Sequence, residues 1–243
     1  MRLLVSVSNP VEAAAALAGG AEIIDAKDPL RGALGPVTLQ TITQIRDVCV
    51  GHAPLTAALG DNSPDEDIEA SAAAFAGAGA SMVKVGFARN VAPSEIEAAL
   101  RAAMRGVAQA APVESGVIAV AYADAATVSS AAPDDVLAAA IVTGVAGILL
   151  DTADKHGPGL RSLMSRDALV RWIAASRDAG LMVAIAGKLS PDDLDWLAPL
   201  DIDIVGVRGS ACEAGRTSRI SATRVSMLRA RCAAAPLQQR SLT

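Results

Sequence analysis

Residues 3–27 read LLVSVSNPVEAAAALAGGAEIIDAK, and the order of segments within them sets the architecture. A β-rich run at 3–7 gives way to an alanine-rich segment at 10–18 that opens on Pro10, stops at Gly19 and Gly20, and returns to a β-rich run at 22–26. Proline fits the first turn of a helix and glycine its end, so the stretch predicts strand, helix, strand, the repeating unit of a parallel sheet.

The same rhythm continues to the end of the chain. Predicted strands fall at 3–7, 22–26, 55–59, 82–85, 117–121, 147–150, 182–186 and 202–205, and predicted helices at 10–18, 38–48, 65–76, 94–110, 133–142, 166–179, 191–197 and 221–233. The helix at 191–197 starts as Ser190-Pro191-Asp192-Asp193, with acids at the positive end of its dipole, and Gly77, Gly79, Gly144 and Gly180 mark other helix ends. Eight such units in 243 residues, with no long linker, match the size of about 250 residues typical of one closed barrel. The fold expected is a single (β/α)8 TIM barrel over residues 1–233, with 234–243 as a disordered tail.

Composition narrows the function. Hydrophobic residues make up 52% of the chain and charged ones 19%, enough apolar material for a large core. The net charge of −5, with two Trp, one Tyr and two Phe, argues against nucleic-acid binding, which needs a basic face and often stacking rings. Asn9, Pro10 and Glu12 interrupt the N-terminal apolar run that a signal peptide needs, and the uncharged stretch 136–150 is shorter than the roughly 18–20 residues that span a bilayer. A cytoplasmic protein without membrane partners is expected. Cys49, Cys212 and Cys232 have no metal or disulfide spacing, and neither do His52 and His156, so no metal is expected. A homo-oligomer is compatible with the sequence, which leaves the oligomeric state open.

In a (β/α)8 barrel the site lies at the C-terminal ends of the strands. Strand side chains alternate with period 2, so Asp25 and Lys27 share the inward face after strand 2, Lys84 points inward from strand 4, and Asp151 from strand 6. The chain has four lysines, Lys27, Lys84, Lys155 and Lys188, and each falls at or just after a predicted strand end, whereas arginine supplies the other positive charge. A buried amine beside carboxylates is suited to attack a carbonyl as a Schiff-base nucleophile while its neighbours move protons. The alternative is a set of structural ion pairs with Asp25, Asp28, Asp151 and Asp154. The turns after strands 7 and 8, with Gly187 and Lys188 in the first and Gly206, Arg208, Gly209 and Ser210 in the second, are where many barrels bind a phosphate. Tyr122 fits either a core position or a substrate contact, and Cys212 lacks a histidine partner nearby in sequence.

Six segments carry a family resemblance: LLVSV, GGAEIIDAKDPLRGALG at 19–35, MVKVG at 82–86, AYAD at 121–124, GILLDTADKHG at 147–157 and DIVGVRGSAC at 203–212. Together they resemble (5-formylfuran-3-yl)methyl phosphate synthase, also described as 4-(hydroxymethyl)-2-furancarboxaldehyde-phosphate synthase. The resemblance implies a class I aldolase-like, carbon–oxygen lyase barrel. Such an enzyme condenses two molecules of glyceraldehyde 3-phosphate into a phosphorylated furan aldehyde for methanofuran-type cofactors of one-carbon metabolism, with no metal or organic cofactor. It implies that Lys27 forms the Schiff base and Lys84 accepts a proton, with Asp25, Asp151 and Lys155 assisting. The chain departs from the archaeal pattern at Ala26 and Asp28, where Val and Asn are expected, and Asp28 adds a carboxylate beside the amine. Two other readings fit the residues: an isomerase or ordinary aldolase using Lys84 or Asp151 as acid–base groups, and a barrel that binds a sugar phosphate without turnover.

Overall fold

A computed structural model describes residues 1–61, 63–110 and 115–233. The tail expected at 234–243 lies outside the described residues. The chain runs β1 (Arg2–Val7), α1 (Pro10–Ala18), β2 (Ile23–Ala26), α2 (Leu39–Cys49), β3 (Leu55–Asp61), α3 (Asp65–Gly77), β4 (Met82–Gly86), α4 (Pro93–Gln109) and β5 (Gly116–Tyr122). It continues through α5 (Ala125–Val128), α6 (Pro133–Thr143), β6 (Gly147–Asp151), α7 (Leu160–Leu163), α8 (Arg166–Asp178), β7 (Met182–Ile185), α9 (Pro191–Leu197), β8 (Ile204–Val207), a 3₁₀ turn at Gly209–Ala211 and α10 (Ala222–Ala233). All strands pair in parallel and in sequence order, and β8 returns to β1 with Leu4 opposite Gly206, closing the barrel. No helix among the described residues is long and apolar enough to cross a membrane.

The helix boundaries have local causes. Pro10, Pro93, Pro133 and Pro191 occupy first turns, where their missing N–H costs nothing. Asn9 caps α1 by accepting from Glu12 N at 2.9 Å, and Ser190 and Asp193 cap α9 reciprocally. Two short helices, α5 and α7, were not among the predicted elements, since four residues are too few to show a 3.6-residue period. The last strand begins two residues later than predicted, at Ile204, although Asp203 already bonds to both neighbouring strands: its N–H donates to Val183 O, and its C=O accepts from Arg2 N.

Strand parity sorts the side chains into two apolar layers. Leu3, Val5, Ile24, Val83, Ile148 and Val205 face outward against helix residues such as Ile42, Ile45, Leu100 and Leu169. Leu4, Ile23, Ile118, Leu149 and Ile204 fill the barrel interior. This inner layer is a floor, and the next inward positions toward the strand C-termini are polar: Ser6, Asp25, Thr56, Lys84 and Asp151, each 5% exposed or less. Burying so many polar groups in one layer costs free energy unless they are hydrogen-bonded: Ser6, Thr56 and Lys84 bond to Asp25, and Asp151 bonds to Lys155.

Candidate active site

Above the floor opens a cavity of about 420 Å³ at the C-terminal ends of the strands. It is lined by Asp25, Lys27, Lys84, Asp151 and Lys155, and on its other side by Gly187, Lys188, Gly206, Arg208, Gly209 and Ser210. The residues singled out in the sequence therefore meet in one space, at the face of the barrel where such enzymes hold their substrates.

Two hydrogen-bonded ion pairs organise the polar floor. Asp25, fully buried, accepts from Ser6 Oγ at 2.8 Å, from Thr56 Oγ1 at 2.8 Å and from Lys84 Nζ. Asp151 accepts from Lys155 Nζ at 2.8 Å and from the Thr152 amide at 2.8 Å, and Lys155 also donates to Thr152 O at 2.5 Å. Burial on its own raises a carboxyl pKa, but Lys84 and Lys27 outweigh it at Asp25, and Lys155 and Lys27 outweigh it at Asp151, so both stay below the usual value. Burial pushes the ammonium pKa values of Lys84 and Lys155 down, against the pull of their carboxylates, and the nearby Lys27 pushes them further. Each pair thus places an amine that gives up its proton more readily beside a carboxylate, an arrangement suited to moving protons.

Lys27 stands between the two pairs and is treated differently. It follows β2, its backbone N–H bonds to Val7 O at 2.9 Å, and it is 7% exposed. Among the described residues its Nζ makes no hydrogen bond, and its one ion pair is with Asp151 Oδ2 at 4.0 Å. Asp28, the extra carboxylate beside it, turns away and accepts from the Leu30 amide at 2.9 Å. Asp124 shapes the site from behind by accepting from the Ala153 and Asp154 amides at 2.8 Å each, which fixes the loop that carries Lys155.

The opposite wall is formed by the turns after β7 and β8. Gly187 has φ +103°, and a Cβ there would stand 3.1 Å from Leu160 Cβ. Ser210 Oγ is buried without a hydrogen-bond partner among the described residues, as is Thr152 Oγ1. Lys188 is exposed at the rim and donates to Gly157 O. Arg208 is committed to the protein: it donates to Ser6 O at 2.9 Å, to both Glu12 oxygens at 2.9 and 3.1 Å, and to Arg216 O at 2.6 Å. The cation it holds in place is Arg216, which lines the cavity. Sequence reasoning missed Arg216, because nothing in EAGRTSR (213–219) separates it from the neighbouring Arg219.

Other candidates fall outside the cavity lining. His156 is exposed, with its amide on Asp154 Oδ1 at 2.8 Å. Cys212 is buried, and burial raises its thiol pKa, which disfavours a nucleophilic role. Tyr122 is 1% exposed and donates its phenol proton to Asp61 Oδ1 at 2.5 Å, a partner the sequence did not suggest.

Among solved structures, phosphoribosyl anthranilate isomerase from Thermotoga maritima aligns with a TM-score of 0.66 at 15% identity, covering 96% of this chain and 98% of that one. The 3-hexulose-6-phosphate synthase of Salmonella typhimurium aligns at 0.64 and 16% identity, covering 96% and 100%. At such identities the likeness shows the fold alone. Sequence relatives are nearer. A putative (5-formylfuran-3-yl)methyl phosphate synthase of Methylorubrum extorquens is 37% identical over 213 residues, 88% of this chain and 83% of that protein. The (5-formylfuran-3-yl)methyl phosphate synthase of Methanosarcina mazei is 34% identical over 235 residues, 96% of this chain and all of that protein (100%). The family profile described as 4-HFC-P synthase matches residues 3–229, from the first strand of the barrel into its last helix, and the chain belongs to that family.

Proposed function

We propose that the protein is an enzyme that condenses two molecules of glyceraldehyde 3-phosphate into (5-formylfuran-3-yl)methyl phosphate, releasing inorganic phosphate and water, through an imine on Lys27. The observation that carries the mechanism is the contrast among the cavity lysines. Lys84 and Lys155 are hydrogen-bonded to carboxylates, whereas Lys27 Nζ stands 4.0 Å from Asp151 and makes no hydrogen bond among the described residues. Membership of the family and the names of its curated members support the substrate class and product.

In this reading Lys27 attacks the aldehyde carbon of a triose phosphate. Asp151 lies near enough to take and return the protons of carbinolamine formation and dehydration. The imine withdraws electrons from the adjacent carbon, and the Lys84–Asp25 pair serves the proton removal that makes this carbon a nucleophile toward the second aldehyde. The Lys155–Asp151 pair serves the dehydrations on the β6 side. Ser210 Oγ, Arg216 and the backbone at Gly187 hold a phosphate, and Arg208 positions Arg216.

Borohydride added to enzyme and glyceraldehyde 3-phosphate is expected to fix a reduced adduct on Lys27, located by peptide mass spectrometry, and Lys27→Ala to abolish it. Product formation is read from the ultraviolet absorbance of the conjugated furan aldehyde, which neither triose absorbs. An adduct found only on another lysine, or turnover by Lys27→Ala, rules the mechanism out.

A further inference from the structure

Strand β3 departs from regular pairing in a place that bears on Lys27. Ala58 lies opposite Lys84, but the next pair is Asp61 opposite Gly86, so β3 spends one more residue than β4 over this span. The extra residue is a bulge, and Gly60 within it has φ +104°. Before the bulge, Thr56 and Ala58 point inward, and unbroken alternation would send residue 61 outward with Ala57 and Leu59. The bulge reverses the parity and turns Asp61 into the barrel mouth. Strand β4 makes room for it: a Cβ on Gly86 would lie 2.1 Å from Asp61 Oδ1 and 2.7 Å from the Tyr122 hydroxyl.

Asp61 there accepts from Tyr122 across the mouth, and the Leu34 side chain packs into the same space: the Cβ that would crowd Asp61 at Gly86 would also lie 2.5 Å from Leu34 Cδ1. Leu34 belongs to the loop between β2 and α2, and with Ala33 it is buried in the interior cluster beside Tyr122 and Leu149. The next residue, Gly35, accepts the Asp28 amide at 2.8 Å, and Asp28 follows Lys27. Packing at Leu34 and the backbone bond at Gly35 therefore link the Asp61–Tyr122 pair through residues 34, 35 and 28 to the lysine.

We infer that Asp61 is a positioning residue, which pins the 28–36 loop over the β3–β5 side of the mouth and so fixes the aim of Lys27 and shields its imine from water. The inference rests on the imine reading of Lys27. The proposed phosphate cradle lies on the other wall, after β7 and β8, and meets the loop only at the long, exposed Arg216 to Gly32 O contact of 3.5 Å, so loosening the loop disturbs chemistry more than phosphate binding.

The test compares Asp61→Ala, Asp61→Asn and Tyr122→Phe in the full-length enzyme. A displacement of about 1 Å in a reacting group can cost about a hundredfold in rate. Asp61→Ala is expected to lose about a hundredfold in kcat and in borohydride-trapped Lys27 adduct, with KM within about threefold of wild type. Asp61→Asn keeps an oxygen acceptor for the Tyr122 hydroxyl and the bulk beside Leu34, and is expected to recover most of the loss. Tyr122→Phe, which keeps the ring in place, falls between them. Amide exchange of the 28–36 segment, read by mass spectrometry, is expected to quicken in Asp61→Ala and to stay slow in Asp61→Asn. Unchanged exchange in Asp61→Ala, failure of asparagine to rescue, or a loss confined to KM overturns the inference. If wild-type enzyme traps nothing at Lys27, the imine reading has failed on its own, and the exchange comparison still decides whether Asp61 holds the loop.

Discussion

Replacing Asp25 with asparagine removes one charge from a buried layer, and the structure sets the size of the effect. Asp25 is 0% exposed and Lys84 4%, so the substitution leaves an ammonium buried beside an amide, with Lys27 as a further cation nearby. Breaking one side of a buried ion pair costs about 3–5 kcal/mol, against a total stability of about 5–15 kcal/mol. At about 2–4 °C per kcal/mol for a chain of this size, the midpoint of thermal unfolding should fall by about 6–20 °C at neutral pH. Removing both partners, Asp25→Asn with Lys84→Met, should cost less than Asp25→Asn alone, since no unpaired ammonium remains. The pH dependence follows from the signs. The folded pKa of Lys84 lies below its unfolded value of 10.5, so the unfolded chain binds more protons between the two, and stability rises with pH through that window. Loss of Asp25 lowers the Lys84 value further, so the deficit of the variant should shrink as pH is raised toward about 10. The folded pKa of Asp25 lies below 3.8, so its contribution is complete above that value and disappears as pH falls through the folded one. Circular dichroism melts across this range provide the measurement. A variant that melts within about 2 °C of wild type, or a double variant worse than the single, would show that the pair does not hold the floor of the site.

Arg208→Met should act on stability and Arg216→Met on substrate affinity. The first strips Glu12, 8% exposed, of its guanidinium, with a cost of about 3–5 kcal/mol in denaturant melts that lessens below pH 4.5, where the lowered carboxyl of the wild type loses its advantage. The second removes a charged contact worth about 1.5–3 kcal/mol and should raise KM about tenfold or more with little change in melting. Equal effects of the two on KM alone would refute this division. Gly86→Ala places a Cβ 2.1 Å from Asp61 Oδ1 and should destabilise by about 1–3 kcal/mol, relieved in part by adding Asp61→Ala; additive losses would show that the two positions do not compete for the same space.

The barrel was legible because its signals are local and repeated. Proline at helix starts, glycine at helix ends and a period of two in the strands require only neighbours in sequence, and they placed Asp25, Lys84 and Asp151 on the inward face that the register confirms. The misses share a different cause. Asp61 was hidden because one bulge residue reverses parity, and alternation carried forward from Thr56 and Ala58 gives the wrong face. Arg208, offered with Lys188 as charge for a phosphate, does line the cavity after β8, but no spacing rule shows that Glu12, nearly two hundred residues earlier in the chain, holds its guanidinium. Arg216 takes the cavity position because Arg208 grips its carbonyl, a dependence between two arginines that no spacing rule records. The same logic bears on the lysines. Sequence placed Lys27, Lys84 and Lys155 at strand ends and the family resemblance gave Lys27 the Schiff base; their partners differ in the same sense, since two amines are bonded to carboxylates and Lys27 stands 4.0 Å from one. A nucleophile must have an open approach, whereas a proton carrier needs a partner, so the assignment of roles rests on contacts between strands distant in sequence.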